Sequence, residues 1–116
     1  MPIAERYKTQ PVDGIHLISL ERGIQLDKFT YTDDGNHSKG ELAVAASCYA
    51  YAAAHQARFG DESMFDVDPP KEWPLEASVW KVGKTARITL AKAGALIAAE
   101  IDRLMLLELS VEEVQS

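Results

Sequence analysis

Cysteine occurs once, at position 48, so the chain forms no internal disulfide and cannot build a zinc site of the multi-cysteine kind. No apolar run reaches the ~20 residues that span a bilayer. The longest, Leu42 to Ala54, is broken by Ser47. The opening residues Met1-Pro2-Ile3-Ala4-Glu5-Arg6 lack the apolar segment of a secretory signal, which sets the expectation of a soluble cytoplasmic protein. Catalytic signatures are absent too: there is no H-E-x-x-H, no Cys-x-x-Cys and no G-x-S-x-G. A small all-α nucleotide pyrophosphohydrolase would hold Mg²⁺ with E-x-x-E and E-x-x-D pairs, and neither is present. Glu100 and Asp102 are two apart and diverge on a helix. Positive charge is the minority sign, with 12 Lys+Arg against 18 Asp+Glu and a net charge of -6. That balance argues against a nucleic-acid polymer as the main partner.

What remains is ordinary globular material. The 116 residues are 47% hydrophobic and 26% charged, which fits one domain with a real core. Cys48, inside the apolar run, reads as a small buried hydrophobe.

The chain divides into an N-terminal arm (1–18), a helical domain (19–109) and an acidic tail (110–116) that should fray. Ser19 is a candidate N-cap for a short first helix, with Leu20, Ile24 and Phe29 marking one side and Gly23 weakening it. Residues 30–40 are dense in turn formers. Ser38 with Glu41 three residues on forms a capping box, which predicts a second helix from about Lys39 to Arg58, stopped by Gly60. One side of that helix carries Leu42, Ala46, Tyr49 and Ala53, and another carries Val44, Cys48, Tyr51 and His55. A helix apolar nearly all round belongs at a centre or a subunit interface. Residues 60–83 are a long connector holding Trp73, Trp80 and Pro69-Pro70. A third helix is expected from about Lys84 to Leu107, with Leu90, Gly94, Ile97, Ile101 and Leu104 as its core stripe. The expected architecture is all-α, a compact three-helix domain that is oligomeric through the Ala/Gly-rich surfaces of helices two and three.

Three groups of residues could carry chemistry. Asp33, Asp34, His37 and Glu41 could meet a cation or ribose hydroxyls, or simply cap turns. Trp80, Lys81, Lys84 and Arg87 could form an indole surface beside a cationic cup for phosphate. The window Lys81–Lys92 has four basic residues and no acidic one, and basic residues oppose the dipole at a helix start. Gly83-Lys84-Thr85 resembles the end of a P-loop, but Ser78 stands where its first glycine belongs. Trp73-Pro74 could be a lid, a partner anchor or a cap on the core.

A longer pattern runs through Glu21-Arg22…Gln25, Asp33-Asp34, His37, Gly40-Glu41-Leu42, Trp73-Pro74, Trp80-Lys81 and Lys92-Ala93-Gly94-Ala95-Leu96-Ile97…Glu100-Ile101…Arg103-Leu104. This order resembles a family of small uncharacterised phage and prophage proteins over roughly residues 19–105. A more distant likeness is to ryanodine-receptor repeat domains, from which the chain departs at Lys28-Phe29, where that module has Gly-Trp. The first resemblance implies a phage accessory protein in the host cytoplasm. Some such proteins counter host defence by sequestering nucleotide messengers.

The leading expectation is therefore a homo-oligomer that binds a small nucleotide without turnover and needs neither cofactor nor metal. Trp80 or Trp73 would stack on the base, Lys81, Lys84 and Arg87 would hold phosphate, and Asp33, Asp34 or His37 would take ribose hydroxyls. One alternative is a metal-dependent nucleotide hydrolase using Asp33, Asp34, His37, Glu41 and Glu100. Another is a protein-binding inhibitor of a host factor.

Overall fold

The computed structural model describes residues 13–28 and 39–115, with side chains to residue 25 in the first segment and to residue 109 in the second. Phe29, Asp33, Asp34, His37 and Ser38 lie outside the described residues. Three helices carry the described chain: α1 (Gly14–Lys28), α2 (Glu41–Phe59) and α3 (Ala86–Gln115). Two 3-10 turns, Asp61–Met64 and Ala77–Val79, lie in the connector between α2 and α3. No strand occurs among the described residues, so the all-α three-helix architecture holds. No described helix is long and apolar enough to cross a membrane.

α1 starts at Gly14 rather than after Ser19. Asp13 is the reason: its Oδ1 accepts the His16 N–H at 2.9 Å, and its carbonyl accepts the Leu17 N–H at 3.2 Å. Residues 14–18 thus belong to the helix and not to an arm. Sequence periodicity hides this start because, of the side chains described on α1, Leu17 alone is fully buried. Leu20 and Ile24, expected to mark one side of this helix, are exposed.

α2 begins at Glu41, with Gly40 as its cap residue, not Ser38. Ser38, the first member of the anticipated capping box, lies outside the described residues, and the second, Glu41, is in place. The Glu41 carboxylate reaches back and accepts the Lys39 N–H at 2.9 Å. Gly60 ends the helix as expected, donating its N–H to the Gln56 carbonyl at 2.8 Å. The face with Leu42, Ala46, Tyr49 and Ala53 is buried, as is Cys48. Val44 and Tyr51 face outward, so α2 is covered on one broad side rather than all round.

α3 departs furthest from expectation. Its backbone stays helical to Gln115. The inward positions are Thr89, Ala91, Ala93, Ala95, Ala99 and Glu100. The anticipated core stripe points out instead: Leu90 is 51% exposed, Ile97 49%, Ile101 51% and Leu104 42%. The cause is the width of the side chains. Two helices approach closely only where side chains are small, and alanine rows on α2 and α3 supply that contact (Ala46 and Ala93 share one core). The Ala/Gly-rich surfaces expected to join subunits are therefore consumed within the chain.

α1 lies against another side of α3. Ile18 sits over Gly94, where a Cβ would meet its Cδ1 at 2.6 Å and its Cγ1 at 2.7 Å. Arg22 pairs with Asp102 at 3.3 Å across the same contact. Glycine at 94 is thus a requirement of close approach, not of backbone conformation.

Candidate functional site

Tyr49 is the centre of the aromatic group. It projects from α2 toward the connector, and Trp80 stacks on it with ring centroids 5.0 Å apart and planes 8° from parallel. Trp73 meets both rings edge-on, 5.3 Å from Tyr49 and 4.9 Å from Trp80. These are favoured geometries for π systems. Every side-chain polar atom of the trio has a partner. Trp73 Nε1 donates to the Glu76 carbonyl and Trp80 Nε1 to the Val67 carbonyl, each at 3.0 Å. The Tyr49 hydroxyl donates to the Val79 carbonyl at 3.2 Å and accepts the Lys81 N–H at 3.0 Å. Burial pushes the Tyr49 phenol above its ordinary pKa, the Lys81 bond opposing and the Glu21 charge assisting.

This arrangement is a clamp holding the connector on α2. One face of Trp80, the surface a base would use, is already taken by Tyr49. Trp73 closes the edge of the pair rather than standing as a lid.

The connector's end is tied down as firmly. Gly83 donates its N–H to Thr89 Oγ1 at 2.8 Å, and its carbonyl accepts Gln56 Nε2 at 3.0 Å. A Cβ at this position would lie 2.7 Å from Ile88 Cγ2 and 2.9 Å from the Thr89 nitrogen. Thr85 Oγ1 accepts the Ile88 N–H at 3.2 Å, the bond of an N-cap. The Gly and Thr of the P-loop-like tripeptide are thus accounted for by packing and capping.

Asp61 supplies the most informative contact here. Its Oδ1 accepts the Ala86 N–H at 3.0 Å. The start of α3 is a natural seat for an anion, and the chain seats its own carboxylate there. Sequence reasoning missed Asp61 because it lies 25 residues from its partner, and position after Gly60 was the one available signal.

Lys81, Lys84 and Arg87 are exposed about this turn. No hydrogen bond, ion pair or ring contact among the described residues joins them through their side chains to Trp80. Asp33, Asp34 and His37 lie outside the described residues, so only the indole and the cations of the anticipated site can be placed. They belong to different environments: the indoles to the clamp, the cations to solvent.

Of the acids assigned to the hydrolase alternative, Glu100 is buried and engaged by Arg103 at 2.6 and 3.3 Å. That carboxylate raises the Arg103 pKa and keeps the guanidinium charged. Glu41 bonds the Lys39 backbone. Among the described residues, no group of three or more His, Cys, Asp or Glu could hold a metal ion. His55 Nδ1 lies 3.0 Å from Ser63 Oγ, a local contact between α2 and the turn that follows it. Burial raises the Cys48 thiol pKa, with the Ser47 bond opposing and Glu72 assisting, which leaves it a poor nucleophile.

The feature not anticipated as a site is the outer face of α3. Leu90, Ile97, Ile101 and Leu104 fall within about 60° of arc on a helix of about 3.6 residues per turn. Their exposed parts make an apolar ridge on the order of 400 Å², within the range of patches that often prove functional. No family model, curated protein or solved structure matches the chain.

Proposed function

We propose that the chain is a helical interaction module that works by protein contact, with the outer face of α3 as its contact surface. The carrying observation is that α3 turns its large aliphatic residues outward while alanines fill its inner sides. A helix serving only the monomer core would do the reverse. The aromatic clamp and the capped start of α3 then act as scaffold, holding that helix rigid.

Photo-crosslinking in cells tests this reading. A benzophenone amino acid at position 97 should give discrete protein adducts, while one at exposed position 57 on α2 should not. Absence of adducts from position 97 refutes it.

The nucleotide-binding reading, which the phage resemblance suggests, keeps one supporting observation: Lys81, Lys84 and Arg87 are all exposed around the start of α3. Calorimetry against cyclic and linear adenine nucleotides tests it, with Lys84→Ala and Arg87→Ala as controls. In this reading the phosphate is gripped by the lysines and Arg87, without a base stacked on the Tyr49 face of Trp80.

A further inference from the structure

We infer that the occupant of the α3 face is a second copy of this chain, its α3 running antiparallel to the first. This rests on the interaction reading above and names its partner.

Four observations lead there. The exposed positions 90, 97, 101 and 104 all fall on the a and d positions of a single heptad frame. Between 90 and 104 the one other position of that frame is Gly94, overlaid by Ile18, so α1 borders the ridge there; Arg87 and Glu108 hold the next frame positions at either end. A surface that repeats every half-heptad matches a second helix carrying the same repeat, and the nearest such helix is α3 of another copy.

Area is the second consideration. Two fully covered ridges remove about 800 Å² before flanking atoms such as those of Met105 and Leu107 are counted, which approaches the roughly 1,000 Å² of a small specific interface. Length is the third. α3 continues to Gln115, and Leu104 to Leu109 bear exposed aliphatic side chains at Met105, Leu106, Leu107 and Leu109. Met105 and Leu107 flank the ridge on either side and widen it at that end, while Leu106 and Leu109 turn away from it.

Charge sets the direction. Lys84 and Arg87 stand exposed at the start of α3 and Glu108 stands exposed near its other end. Antiparallel pairing puts each copy's cations beside the other's Glu108 and also opposes the two helix dipoles favourably. Parallel pairing puts like charges together at both ends. The basic turn at the start of α3, which opposes its own helix dipole, then has a purpose in the dimer.

Sedimentation equilibrium of the full chain is the first measurement. The expected result is a dimer in the micromolar range, and Ile97→Glu and Ile101→Lys should each weaken it at least ~100-fold. Circular dichroism and Trp emission should stay unchanged, since both positions are exposed and the indoles sit in the clamp. Direction is read by disulfide trapping. Leu90→Cys and Leu104→Cys proteins are oxidised singly and as a mixture. The two positions are about 21 Å apart along one helix, so the pairings are distinguishable. Antiparallel helices give a mixed disulfide in preference to either homotypic one. Arg87→Glu should weaken the dimer and Glu108→Arg in the same chain should restore it.

A wild-type monomer at several hundred micromolar overturns the inference. So does a dimer indifferent to Ile97→Glu and Ile101→Lys, or trapping that is mainly homotypic. A monomer that still crosslinks to another protein through position 97 in cells overturns self-pairing while leaving the interaction reading intact.

Discussion

Replacing Gly94 by alanine sets two opposing effects against each other at one atom. In a helix interior, Gly→Ala gains about 0.8–1.0 kcal/mol from backbone entropy. Here the new methyl would lie 2.6 Å from Ile18 Cδ1 and 2.7 Å from its Cγ1. Ordinary carbon contacts are about 3.5–4.0 Å, so Ile18 or all of α1 must move by about 1 Å. Overpacking of this kind costs about 1–3 kcal/mol. Because Cγ1 as well as the terminal methyl is too near, rotation of the tip alone does not relieve the clash. The expected net effect of Gly94→Ala is a loss of about 1 kcal/mol. Gly23→Ala on α1 is the matched control. Nothing lies within 4 Å of its added Cβ, so it should stabilise by up to about 1 kcal/mol. Urea unfolding, followed by helix ellipticity at one fixed protein concentration, measures both. The decisive form is a cycle with Ile18→Ala, where Gly94→Ala should become neutral or stabilising, with a coupling of about 1–2 kcal/mol. If Gly94→Ala stabilises the intact chain as much as Gly23→Ala does, α1 is not seated on α3 as described.

Further tests address the scaffold. Tyr49→Phe removes the acceptor of the Lys81 N–H and the donor to the Val79 carbonyl, and should cost about 1–3 kcal/mol with a shift in Trp emission. In the wild type, the buried phenol holds its proton to higher pH than in the unfolded chain. Its contribution is whole below about pH 10 and is lost as pH rises through the folded value, so Tyr49→Phe should flatten the alkaline fall in melting temperature. Asp61→Ala should cost about 0.5–2 kcal/mol by freeing the Ala86 N–H, and Asp61→Asn less, since an acceptor oxygen remains. Cys48 should react with a thiol reagent only when urea unfolds the chain, and rapid labelling of the native protein would contradict its burial.

Local signals were legible where one short segment settles the outcome. Gly60 stops α2 because a helix C-terminus asks for a residue of its kind, and the Leu42–Ala46–Tyr49–Ala53 face is buried as its spacing implies. The all-α class follows from helical periodicity and the lack of strand-like alternation. Asp13, by contrast, was hidden because α1 buries so few of its described side chains that no stripe betrays its start.

Which side of α3 faces inward could be settled only by the partners. Periodicity finds an apolar stripe but does not say whether another helix lies on it. α3 has two stripes, one of alanines and one of large aliphatics, and the closeness of α1 and α2 selects the alanines. The same holds for the tryptophans and the cations. Their nearness in sequence suggested one receptor, yet Trp80 turns to Tyr49 of another helix and Asp61 reaches the start of α3 from 25 residues away. Residue type and spacing establish which elements form. The volume between those elements decides which faces are spent on the fold and which are left to meet a partner.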